Sequence, residues 1–403
     1  MFPCGNAGLP DGANVRHRQA AGRDSSPCPA SSEPPPARSS TRAGGKGGTR
    51  PTYPSRTVPP KRLAGRDSRP AGSGAGQRRW RYEAGHGKVA RVSASFHEPA
   101  DLPPPRVEEV SDGIFAYIQP DGSWWINNAG FLVGSRGVVS VDSCSTERRT
   151  KAYLSAVQQV ARRPVHTVVN THHHGDHTYG NYLFGAVTIV AHERTRKEVL
   201  ATGLQKYPGV WTGPEWGDIQ LAPPFLTYTD GVDLYVDDLR CEVRHVGVPA
   251  HTTNDSVVWV PERNLLFSGD LLFHGGTPFL LMGSLSGALR AVENLHGYGA
   301  RTIVPGHGDV CGPEIIDEVL GYLRFLDGVA RRGKDAGLSP LEAARETDLG
   351  SYADLLDHER IVGNLHRAYA ELGGAPPGAP IDVPAAILDM IVYNGGQPLR
   401  CLA

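Results

Sequence analysis

Five side chains between positions 172 and 177 have the chemistry to hold metal ions. The run Thr171-His172-His173-His174-Gly175-Asp176-His177 contains the pattern His-x-His-x-Asp-His. Alternate residues at a strand end point the same way, so His172 and His174 can share one metal. Asp176 and His177 then turn toward a neighbouring second one. Imidazole nitrogen with carboxylate oxygen is a donor set that suits zinc. A packed core does not collect four histidines and an aspartate in seven positions, because each buried polar group would need its own partner.

Two metals need further ligands, and three segments offer them. His251 stands in Val248-Pro249-Ala250-His251-Thr252, Asp270 in Ser268-Gly269-Asp270, and His307 in Val304-Pro305-Gly306-His307-Gly308. Each is expected just after a strand, at the carboxyl edge where α/β enzymes assemble their sites.

In order and context these segments resemble the metallo-β-lactamase superfamily. The likeness covers about residues 107–310 and implies an αββα sandwich, an α/β fold with its metals between two sheets. It implies two zinc ions per chain. His172, His174 and His251 would bind the first, and Asp176, His177 and His307 the second. Asp270 would bridge them and handle the catalytic proton. Asp142, which ends a short apolar run, matches the acidic residue behind the site and would orient the histidine loop. Departures narrow the chemistry. No cysteine stands at position 270, as the common β-lactam hydrolases would have, and no glutamate at 174, as a di-iron oxygen-reducing site would have. The interval from Asp270 to His307 leaves no room for the extra domain of nucleic-acid-cleaving members. Hydrolysis of thioesters, lactones and related carbonyl compounds remains.

A narrower likeness runs from about Val107 to Ala403. Trp216-Gly217-Asp218, Thr277-Pro278-Phe279, Gly283-Ser284, Asn364-Leu365-His366-Arg367-Ala368, Tyr393-Asn394-Gly395-Gly396-Gln397 and Cys401-Leu402-Ala403 resemble the cyclase–thioesterases of aromatic polyketide pathways. That resemblance implies closure of a ring in a poly-β-ketone borne on an acyl carrier protein, and cleavage of its thioester. Two metals could activate water against the thioester carbonyl and also hold an enolate for ring closure. A general zinc hydrolase of small thioesters or lactones stays open as an alternative, and so does a non-catalytic relative that binds a metabolite. A flat substrate would suit aromatic walls, for which Trp125, Trp211, Trp216 and Phe279 are the candidates, with Trp124 and Tyr207 nearby. His173 is expected to point away from the metals, His274 to be a plain histidine, and Cys144 and Cys311 to be structural thiols.

These residues need strands to carry them. Residues 107–119 and 124–133 read as two strands around a turn at Pro120-Asp121-Gly122. Further strands are expected at 137–142, 164–170, 187–190, 239–245, 255–260 and 264–267. Helical periodicity marks 146–162, 193–202, 286–295, 313–330 and 355–372. Strands and helices alternate without a linker, which argues for one α/β domain over residues 105–403, ending in a helical extension.

The first 104 residues have another character. They are rich in Pro, Gly, Ser and Arg, a composition that cannot bury enough apolar surface to offset its ordering entropy, and they read as disordered. Of 403 residues the first hundred hold 17 Lys+Arg against 6 Asp+Glu, a balance of +11; the whole chain carries −1, so the remainder carries −12. The segment reads as a solvated tail or as upstream sequence translated from a wrongly chosen start, most of which initiation at Val89 or Val92 would remove; a basic arm for an acidic partner is the alternative. Without aromatic–basic interleaving it does not read as a nucleic-acid arm. No apolar run is long enough to span a bilayer, the Arg78-Arg79 pair is not followed by an apolar stretch, and the six cysteines form no CxxC pair. A cytoplasmic protein is expected, without membrane or nucleic acid as partner. Deleting residues 1–88 should leave zinc content and Tm unchanged; a fall of several degrees in scanning calorimetry would show the segment docked on the domain.

Overall fold

Side chains along a strand alternate between two faces, and here that alternation sorts the chain into four layers. In the computed structural model, which describes residues 102–205 and 207–403, the first sheet is built almost in chain order. It comprises β1 (Arg106–Ser111), β2 (Ile114–Ile118), β3 (Ala129–Gly134), β4 (Gly137–Val141), β5 (Val165–Val169), β6 (Thr188–His192) and β7 (Leu226–Tyr228). The pairs are antiparallel up to β3–β4 and parallel from β4–β5 onward. Between these strands lie α1 (Glu147–Ala161), the single turn α2 (Gly175–Thr178) and α3 (Glu193–Thr202).

The second sheet contains β8 (Gly231–Val236), β9 (Leu239–His245), β10 (Ser256–Val260), β11 (Leu265–Phe273) and, after α4 (Leu285–Leu295), β12 (Thr302–His307), in the order β12-β11-β10-β9-β8. The chain ends in α5 (Glu314–Asp335), α6 (Pro340–Glu346), α7 (Arg360–Leu372) and α8 (Val383–Tyr393).

Ile114, Ala116 and Ile118 of β2 and Val139 and Val141 of β4 face inward, in one cluster with Val258 and Val260 of β10 and Leu265 and Phe267 of β11. The intervening Tyr117 and Val138 face outward under Tyr153, Ala156 and Val157 of α1. Val257, Trp259 and Leu266 face the opposite way, into a larger cluster with α4, α5 and α7. Helix, sheet, sheet and helix therefore stack in that order, the expected αββα sandwich. No helix among the described residues is long and apolar enough to cross a membrane.

Several expected elements differ. Residues 107–119 form a hairpin, β1 and β2, folded at Asp112-Gly113, a turn signal hidden by the apolar run around it. The turn expected at Pro120-Asp121-Gly122 is instead part of a long loop, and β3 begins only at Ala129. Ile126 N–H bonds to Ser123 O and Trp125 lies at φ 66°, so residues 123–126 turn out of the sheet. Asp270 does not follow a strand but lies within β11, which continues past a register shift at Gly269 and pairs Phe273 with His307. The short β7 and the β8 strand were not expected, nor were α6 and α8; α8 is apolar on nearly every face and so lacks a helical period. Residues 1–101, with nearly all of the segment read as a tail, lie outside the described residues.

The sheets pack tightly at Gly130 of β3, where a Cβ would stand 2.2 Å from a ring carbon of the buried Phe267. Gly130→Val should overpack this contact and cost about 1–3 kcal/mol. Urea unfolding of the variant at wild-type stability would show that the sheets can part there.

Candidate metal centre

Five stretches of chain bring the expected ligand side chains together. β5 runs into the loop that carries His172 and His174, and α2 turns Asp176 and His177 toward the second sheet. His251 comes from the loop between β9 and β10, Asp270 from the irregular middle of β11, and His307 from the last residue of β12. All seven ligands are brought together. They form two groups, His172, His174, His251 and Asp270, and Asp176, His177, His307 and Asp270; within each group the donor atoms lie within 4.8 Å of one another.

In the first group His174 Nδ1 lies 3.1 Å from His172 Nε2 and 2.8 Å from His251 Nε2. Asp270 Oδ2 stands 3.8 Å from His172, 3.3 Å from His251 and 3.4 Å from His307, and its Oδ1 is 3.0 Å from His177 Nε2. Asp176 Oδ2 reaches His307 Nε2 at 3.3 Å and His177 Nε2 at 3.7 Å. Asp270 therefore faces both groups. β12 can pass so close to it only because residue 306 is glycine, where a Cβ would fall 1.9 Å from Asp270 Oδ1.

The atoms turned away from the cluster fix which nitrogen faces in. His177 Nδ1 donates to Asp142 Oδ2 at 2.9 Å, His251 Nδ1 to Phe279 O at 2.5 Å, and His307 Nδ1 to Gly122 O at 2.9 Å. Thr171 Oγ1 donates to Asp142 Oδ2, so it accepts from His172 Nδ1 at 3.1 Å. With one proton held on Nδ1, each of these four rings presents the lone pair of Nε2 to the cluster when it is neutral. Asp142, at φ 61°, also accepts from Thr171 N at 2.8 Å and so ties the end of β4 to the histidine loop. Buried lone pairs facing one another at about 3 Å repel unless a cation or proton lies between them. His177 Nε2 and Asp270 Oδ1 are buried without any hydrogen bond. These residues fit a pair of metal ions.

Electrostatics divides the two groups. Burial, with the charge of His177, drives His172 well below the usual imidazole range; burial and His251 do the same to His174. Burial opposes the charge on His307 as well, but Asp270 and Asp176 outweigh it and raise the ring to about 9. Asp270, Asp142 and Asp176 likewise lift His177 well above its ordinary value against burial. Burial also works against ionised Asp270, yet His177, His307, His251 and His172 hold it well below the usual carboxylate range.

The cluster opens on a cleft. Trp125, Trp211, Phe279, Trp124 and Tyr207 line it, whereas Trp216 does not. Trp216 packs edge-on behind Trp125, ring centroids 4.7 Å apart, because its carbonyl is tied to the N-terminus of α1 at Glu147. His173 turns from the metal ligands to accept from Asn254 Nδ2 at 3.0 Å, and His274 is bound to Asp309 O at 2.9 Å. Burial raises the thiols of Cys144 and Cys311 to about 12, as inert structural thiols require. Sequence reasoning missed Arg360, which also lines the cleft, and the carbonyls of Gly122 and Phe279; a backbone acceptor leaves no trace in residue type.

With fold and site in view, residues 122–307 match the family model of the Metallo-beta-lactamase superfamily. The chain is 27% identical over 210 residues to the 2,4-dinitroanisole O-demethylase subunit alpha of Nocardioides sp. (strain JS1661), covering 50% of this chain and 55% of that protein. It is 25% identical over 223 residues to the metallo-beta-lactamase type 2 of Bacteroides fragilis (52% of this chain, 82% of that one). It is 26% identical over 231 residues to the acyl-coenzyme A thioesterase MBLAC2 of Homo sapiens (48% and 81%). The chain thus spans about half the length of the first of these.

A proton must leave a charged imidazole before zinc can take its place. At pH 7 His307, raised to about 9, holds such a proton, as does His177, lifted well above its ordinary value, whereas His172 and His174, driven well below theirs, hold none. Zinc entering the Asp176 group at pH 7 should release protons, and its affinity there should fall faster with acid than at the His172 group. Calorimetric titration in buffers of different protonation enthalpy reads this directly; proton-neutral uptake of both equivalents would refute it.

Proposed function

We propose that the protein is a metal-dependent hydrolase that cleaves thioesters and works with two zinc ions, one in each donor group. The observation that carries this reading is the buried double cluster sharing Asp270 and opening on a cleft with aromatic walls. Zinc there would supply a Lewis acid toward a carbonyl and a water acidic enough to attack it at neutral pH. The chain's own residues do the rest. Asp142, Thr171, Phe279 and Gly122 hold the imidazoles in one tautomer and one orientation. Asp270 Oδ1, which accepts no hydrogen bond in the protein, is the atom assigned to take the proton of the attacking water. The aromatic walls seat the acyl group and keep bulk water from it. Similarity to an acyl-coenzyme A thioesterase supports the choice of a thioester over other carbonyl compounds.

Within that class, the acyl group is proposed to be a poly-β-ketone on an acyl carrier protein, with ring closure and thioester cleavage served by one site. Among the segments that resemble the polyketide cyclase–thioesterases, one supplies Phe279 to the cleft and another supplies Asn364, which holds Phe279 in place. Asn364 Nδ2 donates to Pro278 O at 2.7 Å and Asn364 Oδ1 accepts from Leu280 N at 2.8 Å, bracketing Phe279. The free thiols of Cys144, Cys241, Cys311 and Cys401 suit a reducing, cytoplasmic setting. Turnover of small acyl thioesters as fast as aromatic ones would favour a general hydrolase instead.

Asp270→Asn keeps the shape and removes the charge shared by both groups. Turnover of an aromatic acyl thioester should fall by more than about 100-fold, beyond the 10–100-fold typical of residues behind a metal ligand. Zinc content should fall with it, while His274→Ala should stay near wild type. Near-native turnover of Asp270→Asn with both zinc ions retained would overturn the assignment.

A further inference from the structure

The cleft wall away from the metal ligands carries a polar pattern of one sign. Setting aside Asp270 Oδ1 and His174 Nε2, which belong to the metal cluster, the described cleft residues with buried, unpartnered side-chain polar atoms are Trp125, Trp211 and Arg360. The atoms are Trp125 Nε1, Trp211 Nε1 and Arg360 Nε. An indole nitrogen and a guanidinium nitrogen only donate. All three are therefore donors without an acceptor in the protein.

Arg360 is a built part of this wall. It is almost wholly buried, on the first turn of α7, with its guanidinium carbon 4.0 Å from the ring centre of Trp124 and 5.2 Å from that of Phe273. Phe273 in turn stacks on His307, ring centres 5.1 Å apart, which sets the guanidinium one ring away from a metal ligand. One Arg360 nitrogen bonds to Thr277 O at 2.9 Å and another to Asp357 at 2.7 Å. Asp357 offsets the charge, so the remaining Nε–H acts as a directed donor more than as a free cation. Such a group suits a neutral carbonyl or hydroxyl oxygen better than a carboxylate.

The geometry points to a specificity site in which Arg360, Trp125 and Trp211 bind the ring oxygens of a flat, oxygen-bearing acyl group or product. This deepens the hydrolase reading and rests on it for the identity of the site. A buried donor left unmade discriminates against a ligand that lacks the matching acceptor, while an apolar wall alone does not.

The test is equilibrium dialysis of the zinc-loaded full chain against 9,10-anthraquinone and against anthracene, tricyclic probes that differ in two carbonyl oxygens. The wild type should bind the quinone at least about tenfold more tightly. Trp125→Phe and Trp211→Phe keep the aromatic walls and remove the N–H; each should weaken quinone binding by about fivefold and leave anthracene unchanged. Arg360→Lys, which loses the fixed fork, should also weaken the quinone alone. Equal binding of both probes by the wild type, or equal losses for both in the tryptophan variants, would overturn the proposal. A chain that turns over thioesters without discriminating the probes defeats this inference and spares the hydrolase reading. Discrimination without thioester turnover does the reverse.

Discussion

Lone pairs of buried imidazoles and carboxylates are aimed at one another across about 3 Å around Asp270, and the rest of the molecule is arranged so that they cannot turn away. Left to itself such a cluster is costly, because each group has surrendered water without gaining a partner. Asp270 and the carboxylates beside it raise His177 and His307 against burial, so these two rings favour their charged form. His172 and His174 are driven the other way, by burial first and by the neighbouring imidazoles second. The two halves therefore differ in charge, although they share Asp270 and much the same donors.

Orientation is imposed from outside the cluster by several elements. Asp142 at the end of β4 holds His177, Thr171 after β5 holds His172, the carbonyl before Leu280 holds His251, and the loop before β3 holds His307 through Gly122. The acceptors come from both sheets and from the loops they anchor, so the site depends on the packing of one sheet on the other. α7 enters the same chain of support, since Asn364 fixes the residues on either side of Phe279. A change on α7 can thus reach His251 without touching any ligand.

That these seven residues and Asp142 would gather at one place was legible because ionisable residues in apolar surroundings announce themselves by type, and strand ends place them. The layers were legible for a related reason: runs such as β4 and β10 are wholly buried, and α1 keeps a helical period between Thr146 and Arg162. What failed was local. Residues 124–128 look like the start of a strand, but Trp125 at φ 66° and the Ser123–Ile126 turn take them over the site. The continuation of β11 through Asp270 was hidden, because glycine at 269 reads as the end of a strand when only sequence is in hand. Trp216 misled by type alone; an aromatic ring beside a motif supports a wall as readily as it forms one.

Trp125 joins these threads. A bulky residue in the left-handed region is strained and persists only where its surroundings leave no choice. Here Trp216 meets its ring edge-on at 4.7 Å, Tyr179 lies 5.8 Å away and Trp211 closes another side at 5.8 Å. The same loop delivers the Gly122 carbonyl to His307 and the Trp124 ring to Arg360. A relaxed backbone at 125 would move the cleft wall and the support of a metal ligand together. The strain is therefore tied to the coupling of pocket and metal centre: the loop that shapes the cleft also sets the geometry of the cluster at its floor.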